Sequence, residues 1–178
     1  MKILFSFLLT ILCIGFSGCA SMKLEDYSQK TPLLNFKDHF IGTHQGSGIF
    51  YDRFGRARMR FTIEIVGRQT EQGLVLAELL TYETGEIVKR DYEIKQLSAS
   101  QFEVRTADIV GVGLINTSGN AAQWRYTLKQ KIGNKIWNLR FDDWMFLNAD
   151  HSIVNRAWAS FWGLGVGEVH MVLRKTSK

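Results

Sequence analysis

A chain of 178 residues can form one domain with a core of its own, and its formal net charge of +5, from 22 basic and 17 acidic residues, is mild. Basic and acidic residues are interleaved, which argues against a nucleic-acid-binding protein, because such a protein would carry a basic cluster. The densest basic stretch, 53–60, alternates with apolar residues, as a strand with one solvated face does. The single proline and the lack of a linker-like stretch predict one folded domain.

The N-terminus has the layout of a secretory signal peptide. Lys2 precedes an apolar stretch over residues 3–16, which is too short to span a bilayer comfortably. The sequence FSGC at 16–19 resembles the lipobox of bacterial lipoproteins, in which the cysteine is lipidated and becomes the first mature residue. The resemblance implies acyl chains, palmitate among them, on Cys19, and several acyl chains anchor a protein stably. Ala20 after the cysteine implies sorting to the outer membrane, with the domain facing the periplasm.

These features divide the chain into a signal peptide at 1–18, a lipidated cysteine with a tether at 19–40, and a β-barrel domain at 41–178. Cys13 would leave with the signal peptide and Cys19 would be lipidated, so the mature domain would hold no free thiol. We therefore expect neither a cysteine nucleophile nor a thiolate metal site.

Period-two alternation and turn residues dominate the chain after residue 42, which is typical of antiparallel strands. The clearest stretch is 57–65, where odd-numbered residues are apolar and even-numbered ones polar or charged. In chain order the predicted strands are 46–53, 57–66, 73–83, 86–97, 101–107, 108–116, 121–131, 135–147, 152–162 and 165–175. This pattern predicts nine or ten strands and no long helix, with one or two helical turns within 31–40.

Strands joined by hairpins in this number leave no exposed edges if the sheet closes. We therefore predict an all-β fold, a single antiparallel meander barrel of about 9–10 strands, with an open β-sandwich as the alternative. A barrel of about this size can hold one small ligand. A membrane-spanning barrel is not expected, because it needs an apolar lipid-facing band. Here the outward positions are charged, among them Arg58, Arg60, Glu64, Lys89, Asp91, Glu93 and Lys95.

Several motifs of the chain occur in the same order in one known family. GIFYDRFGR, TADIVGVG, GNAAQWRYTL, FDDWMF, NRAWASFWG and GEVHMVLRK resemble an uncharacterised family of proteobacterial lipoproteins, known as a domain of unknown function, over about residues 32–175. The resemblance implies a lipocalin-like, calycin-type barrel on a lipid anchor. Members of that family are encoded near enzymes of unusual fatty-acid formation, which implies a connection of the family with lipids. The family supplies no catalytic residues to carry over.

Two adjacent carboxylates, Asp142 and Asp143, interrupt the apolar stretch 135–147. Alternation predicts that Asp143 points into the barrel and Asp142 points out. A buried carboxylate needs a partner or a raised pKa. The candidate partners are Arg156, Asn155 and Arg90.

The expected ligand site is a polar pole in an apolar cup, as is typical of small-molecule pockets. The pole would combine Asp143 with an arginine and include Glu78 as a second inward acid. Large side chains would line the cup: Trp124, Tyr126, Trp137 and Met171. The alternative is a structural ion pair surrounded by ordinary core residues.

Motifs for catalysis and cofactor binding are not found in the sequence. The four histidines lack zinc spacing, and the glycines at 163–167 precede a strand rather than the helix of a dinucleotide site. Adjacent strand residues face opposite ways, so Asp142 and Asp143 cannot easily act as a hydrolase pair. We expect no catalytic residue, no metal site and no cofactor.

Three functional hypotheses follow. The first is a membrane-anchored periplasmic lipoprotein that binds a lipid or other hydrophobic small molecule, with the membrane and a fatty-acyl ligand as partners and no nucleic acid. The second is a structural or assembly factor of the cell envelope that contacts another protein. The third, less favoured, is an enzyme acting on an acyl-chain substrate with Asp143 as acid or base.

Overall fold

A computed structural model describes residues 22–176, so the predicted signal peptide and Cys19 lie outside the described residues. In this part of the chain a 3-10 turn, Leu24–Tyr27, and one short helix, α1 (Phe36–Phe40), precede ten strands. The strands are β1 Gly42–Asp52, β2 Ala57–Gln69, β3 Gly73–Tyr82, β4 Ile87–Gln96, β5 Gln101–Arg105, β6 Gly113–Ser118, β7 Ala121–Ile132, β8 Lys135–Leu147, β9 Ile153–Phe161 and β10 Leu164–Lys175.

The ten strands form one closed antiparallel barrel. Each strand pairs with the next along the chain, and β1 pairs with β10, so the sheet has no free edge. The prediction of a closed meander barrel is confirmed, and the alternative of an open sandwich is wrong.

Helix α1 closes one end of the barrel, which we call the helix end. The Asn35 side chain caps the helix by accepting from the backbone N–H of Asp38. Phe36 and Phe40 are 1% and 2% exposed, and the Phe36 ring lies 5.3 Å from that of Phe102 on β5. Gly67 of β2 leaves room for the helix, because a Cβ there would meet the Phe40 carbonyl oxygen at 1.7 Å. The core therefore includes residues that the sequence assigned to a tether.

The N-terminal turn packs on the outer wall of the barrel. The Tyr27 ring lies 5.9 Å from Trp144 and 5.1 Å from Phe146, both in outward positions of β8. Trp144 is consequently 2% exposed although it faces away from the lumen. Alternation alone could not predict this burial, because it depends on a segment more than a hundred residues away in sequence.

The opposite end, which we call the hairpin end, is formed by the connections 53–56, 83–86, 106–112, 133–134 and 162–163. Several inward side chains are only half-buried there or midway along the lumen: Tyr82, Val88, Tyr126, Phe141, Val169 and Met171. These side chains face inward, and two of them, Tyr82 and Met171, also line a groove that runs across β9, β10, β1, β2 and β3. Residues 22–176 contain every strand of the closed sheet and its core, so this part of the chain can fold on its own.

Candidate functional site

The two adjacent aspartates lie on opposite faces of β8, as predicted. Asp143 faces the lumen and is 7% exposed. Asp142 faces outward, where it accepts a hydrogen bond of 2.6 Å from the Gln123 side-chain amide and pairs with Arg125 at 3.5 Å. No β-bulge separates them, because the register of β8 with both β7 and β9 runs without a shift there.

The partner of Asp143 is an amide rather than an arginine. Asn155 on β9 donates its Nδ2 to Asp143 Oδ1 and to the Trp144 carbonyl at 3.3 Å. Arg156, one residue further, faces outward, pairs with Glu168 at 2.7 Å, and lies over the Trp158 ring at 4.4 Å. Of the three candidate partners, Asn155 is the one that contacts Asp143, and the expected arginine partner is wrong. Alternation along β9 sends Asn155 in and Arg156 out, and Arg90 pairs with Glu78 and Asp108 instead.

This environment makes the Asp143 carboxyl a weaker acid than an ordinary aspartate. Burial raises the pKa of Asp143 to about 7, although the hydrogen bond from Asn155 acts to lower it, and the charges of Asp142 and Glu78 raise it further. Near neutral pH the group is therefore divided between its neutral and charged forms.

The second polar group of the lumen is centred on Arg90. Glu78 and Arg90 are directly opposite each other on β3 and β4, and Arg90 Nη1 lies 3.2 Å from Glu78 Oε1. Arg90 Nε donates to Asp108 Oδ2 at 2.6 Å, and the Tyr92 hydroxyl donates to Glu78 at 3.3 Å. We call Glu78, Arg90, Tyr92 and Asp108 the Arg90 cluster.

The Arg90 cluster holds two carboxyl groups and one guanidinium. Burial raises the pKa of Glu78, while Arg90 acts to lower it. Burial disfavours the charge on Arg90, but Tyr92, Asp108 and Glu78 raise its pKa, so it stays cationic. Both carboxyl groups contact the one guanidinium, Glu78 through Nη1 and Asp108 through Nε.

Aromatic rings connect the Arg90 cluster with the strand that carries Asp143. The ring centroids of Tyr92 and Trp124 lie 5.2 Å apart, those of Trp124 and Tyr126 5.0 Å, and Tyr126 stacks on Phe141 at 5.1 Å. Burial raises the pKa of Tyr126 well above its usual value, and the carboxylates of Asp143 and Glu78 add to this effect. Trp124 Nε1 is buried and has no hydrogen-bond partner within residues 22–176.

The structure brings most of the predicted site residues into one lumen. Asp143, Glu78, Arg90, Trp124, Tyr126, Trp137 and Met171 all face inward. Trp137 lies near the hairpin end against Phe161, at 4.8 Å, while Met171 is opposite Gly48 across β1 and β10. Asp108 was missed, because the sequence placed it at the start of a predicted strand, 108–116, whereas the structure has it in the connection 106–112 before β6.

A groove of about 810 Å³ runs across the outer wall over β9, β10, β1, β2 and β3. The side chains along it form two cross-strand rows, Val154–Val172–Ser47–Thr62–Thr81 and Arg156–His170–Ile49–Arg60–Glu83. These are outward positions, but the lining also includes inward residues of the same strands: Phe61, Tyr82, Asn155 and Met171. Tyr126 and Phe141, from the far wall of the lumen, do not line the groove.

Within the described range 22–176, no group of three or more His, Cys, Asp or Glu side chains is arranged to hold a metal ion. No helix in this range is long and apolar enough to cross a membrane.

Comparisons with known proteins identify the fold and a family. The family model described as "Protein of unknown function (DUF3833)" matches residues 13–175. No curated protein matches the sequence significantly.

Two solved structures share the architecture at low sequence identity. The S-type phycobiliprotein lyase CPES from Guillardia theta is 7% identical, with a TM-score of 0.61 over 88% of this chain and 99% of that one. Rv2717c from M. tuberculosis is 11% identical, with a TM-score of 0.60 over 83% and 99%. These similarities place the barrel in the lipocalin-like, calycin type.

Proposed function

The chain belongs to the DUF3833 family, whose function is unknown, and we propose that it is a membrane-anchored periplasmic lipoprotein whose barrel binds a lipid or another hydrophobic small molecule. The anchor part of the proposal comes from the sequence FSGC at 16–19. The binding part of the proposal rests on the side chains that line the lumen.

One observation carries the binding proposal: apolar and aromatic side chains inside a closed wall remain partly exposed. Val88, Phe141, Val169 and Met171 are half-buried, although each faces the lumen. Helix α1 closes the other end, so this surface is reached from the hairpin end. An apolar cup with a few fixed polar groups at depth is the usual composition of a small-molecule site.

The charges of the lumen favour a ligand with a neutral polar end. Asp143, Glu78 and Asp108 are three acids against one cation, Arg90, which already contacts two of them. Bringing an anionic group beside them would add repulsion and desolvation. A hydroxyl, amide or ester group could instead bond to Asp143 or to the Tyr126 hydroxyl.

A fluorescent long-chain alcohol and the matching fatty acid, titrated into residues 22–176, test this proposal. We expect the alcohol to bind in the micromolar range or below and to bind more tightly than the acid at pH 8. Met171→Trp should weaken binding strongly by filling the lumen. Val172→Trp, the next residue on the outer wall, is the matched control and should bind as wild type does. Equal binding by both variants would place the ligand outside the barrel and overturn the proposal.

The second candidate function is a structural or assembly factor that contacts another envelope protein. The outer-wall groove favours it, because Val154 and Val172 are exposed side by side there, at 41% and 36%. A polypeptide that co-purifies with wild type but not with Val172→Asp would support this function. If a lipid co-purifies instead, the binding function is supported.

A further inference from the structure

Exposed apolar side chains are concentrated at the hairpin end. Each of the five connections there presents at least one, in the connection itself or within two residues of it: Phe54, Ile87, Val110, Val112, Leu114, Ile132, Ile136, Trp162 and Leu164. Trp162 is 91% exposed, Ile136 72% and Phe54 67%. At the helix end the described residues expose three in this way: Leu33, Leu97 and Val154. The asymmetry marks the hairpin end as a surface that meets another apolar phase.

Trp162 is held in a costly backbone conformation. It forms the two-residue β9–β10 connection with Gly163, at φ values of +50° and +80°. Both central residues of such a turn need positive φ, a requirement that Asn-Gly meets with little strain and a tryptophan does not. Among the ring contacts of the described residues, Trp162 stacks only on its neighbour Phe161, at 5.3 Å. The backbone strain at Trp162 is therefore not explained by packing of its side chain in the core, and such strain points to a functional role for this residue.

The β1–β2 connection is also built to present an aromatic side chain. The Asp52 carboxylate accepts from the backbone N–H groups of Phe54 and Arg56 and from Arg58 Nε, at 2.9, 3.1 and 2.6 Å. The guanidinium of Arg53 lies 4.7 Å from the Phe54 ring centre. The tip is thereby ordered, with an apolar ring at its apex and basic groups around it.

Basic residues accompany the apolar ones in a third hairpin. The β7–β8 hairpin carries Lys129, Lys131 and Lys135, and no acidic residue lies between positions 126 and 141. Lysine and arginine beside exposed aliphatic and aromatic side chains form the composition that binds the interface of an anionic bilayer. A protein surface would be matched by one continuous patch, whereas here the apolar residues are distributed over five separate tips around a mouth.

We propose that the hairpin end docks on a bilayer that contains anionic lipids, with the tips carrying Phe54, Ile136 and Trp162 inserted among the headgroups and acyl chains. The mouth of the lumen then faces the bilayer. Trp162 stacks on Phe161, and Phe161 contacts Trp137 in the lumen at 4.8 Å, so aromatic surface is continuous from tip to lumen. An apolar ligand can pass along this surface without crossing water. The passage of a ligand rests on the proposed function, whereas the docking does not.

Vesicle sedimentation of residues 22–176, without ligand and without the lipidated cysteine, tests the docking. Wild type should bind phosphatidylglycerol-containing vesicles more strongly than phosphatidylcholine vesicles, and high salt should reduce the difference. Burying one side chain of leucine size changes an equilibrium by roughly tenfold or more. The double change Ile136→Ser with Trp162→Ser should therefore weaken vesicle binding at least about tenfold. Leu33→Ser with Leu97→Ser, at the helix end, is the matched control and should leave it unchanged.

Both double variants change exposed residues, so thermal unfolding should confirm that each is folded. The same proteins titrated with the fluorescent alcohol in solution separate the two proposals, because the hairpin-end variant should bind the free alcohol as wild type does. Absence of vesicle binding by wild type, or equal loss in both double variants, would overturn the docking proposal even if the alcohol binds. Failure of alcohol binding with intact vesicle binding would overturn only the proposed function.

Discussion

The buried carboxylate of Asp143 accepts its hydrogen bond from the neutral side-chain amide of Asn155. A neutral donor satisfies one lone pair without compensating a charge, so the carboxyl remains costly to ionise. This relationship determines how the stability of the barrel responds to pH.

The first prediction concerns Asp143→Asn. Burial raises the folded pKa of Asp143 to about 7, above the ordinary 3.8. The contribution of the Asp143 carboxyl to the free energy of unfolding is therefore fully present below about pH 4, and it is lost as the pH rises through about 7. The asparagine variant cannot ionise, so it should exceed wild type in free energy of unfolding by up to about 4 kcal/mol at pH 8, with little difference near pH 4. Chemical denaturation across this range measures the effect.

The control for that experiment is Asp142→Asn on the outer face, which should leave the pH profile of unfolding as in wild type. If Asp143→Asn and wild type respond to pH in parallel, Asp143 is not buried in the way described.

A second prediction separates the buried arginine from an exposed one. Arg90→Leu leaves the Glu78 and Asp108 carboxylates without their cation and should destabilise the fold by roughly 3–5 kcal/mol. Arg156→Leu removes an exposed pair with Glu168 and should cost no more than about 1 kcal/mol. Urea unfolding at pH 7 compares them, and equal losses would show that the Arg90 cluster is not buried.

Asp143 shows how far the sequence predicts the site. Alternation in 135–147 correctly placed Asp143 inside and Asp142 outside, because a strand in a closed sheet has only two faces. Its partner depended on the orientation of β9, where a difference of one residue decides between an amide and a guanidinium. The sequence named Asn155 among three candidates, but the arginine that it favoured is not the partner.

Other parts of the fold depend on contacts that are distant in sequence. Period-two patterning predicted the strands and the closed meander, since each hairpin is a local feature. The burial of Trp144 under Tyr27, and the contact of Asp108 with Arg90, join segments whose approach no local pattern encodes.

A third prediction tests whether residues assigned to a tether belong to the core. Phe36→Ala empties a site in the core at the helix end and should destabilise residues 22–176 by roughly 3–5 kcal/mol. Leu33→Ala, at a position 70% exposed, should change stability by less than about 0.5 kcal/mol. Thermal unfolding of both variants measures the difference, and a small effect of Phe36→Ala would show that helix α1 is not part of the cooperative fold.

The fourth prediction concerns the anchor at Cys19, which lies outside the described residues. Cys19→Ser in the full chain should abolish labelling with palmitate and release the protein from membranes washed at high salt. High salt is needed because the hairpin end is expected to retain some attachment of its own at low ionic strength. Unchanged labelling and unchanged membrane association of Cys19→Ser would show that the lipobox interpretation is wrong.

The most direct test of a ligand inside the barrel is native mass spectrometry of the full-length protein purified from its own host, with Met171→Trp and Val172→Trp purified in parallel. We expect wild type and Val172→Trp to carry the same added mass, identified as a lipid after extraction, and Met171→Trp to have lost it. If wild type carries no lipid, or if Met171→Trp keeps it at the same occupancy, the barrel is not a lipid-binding site.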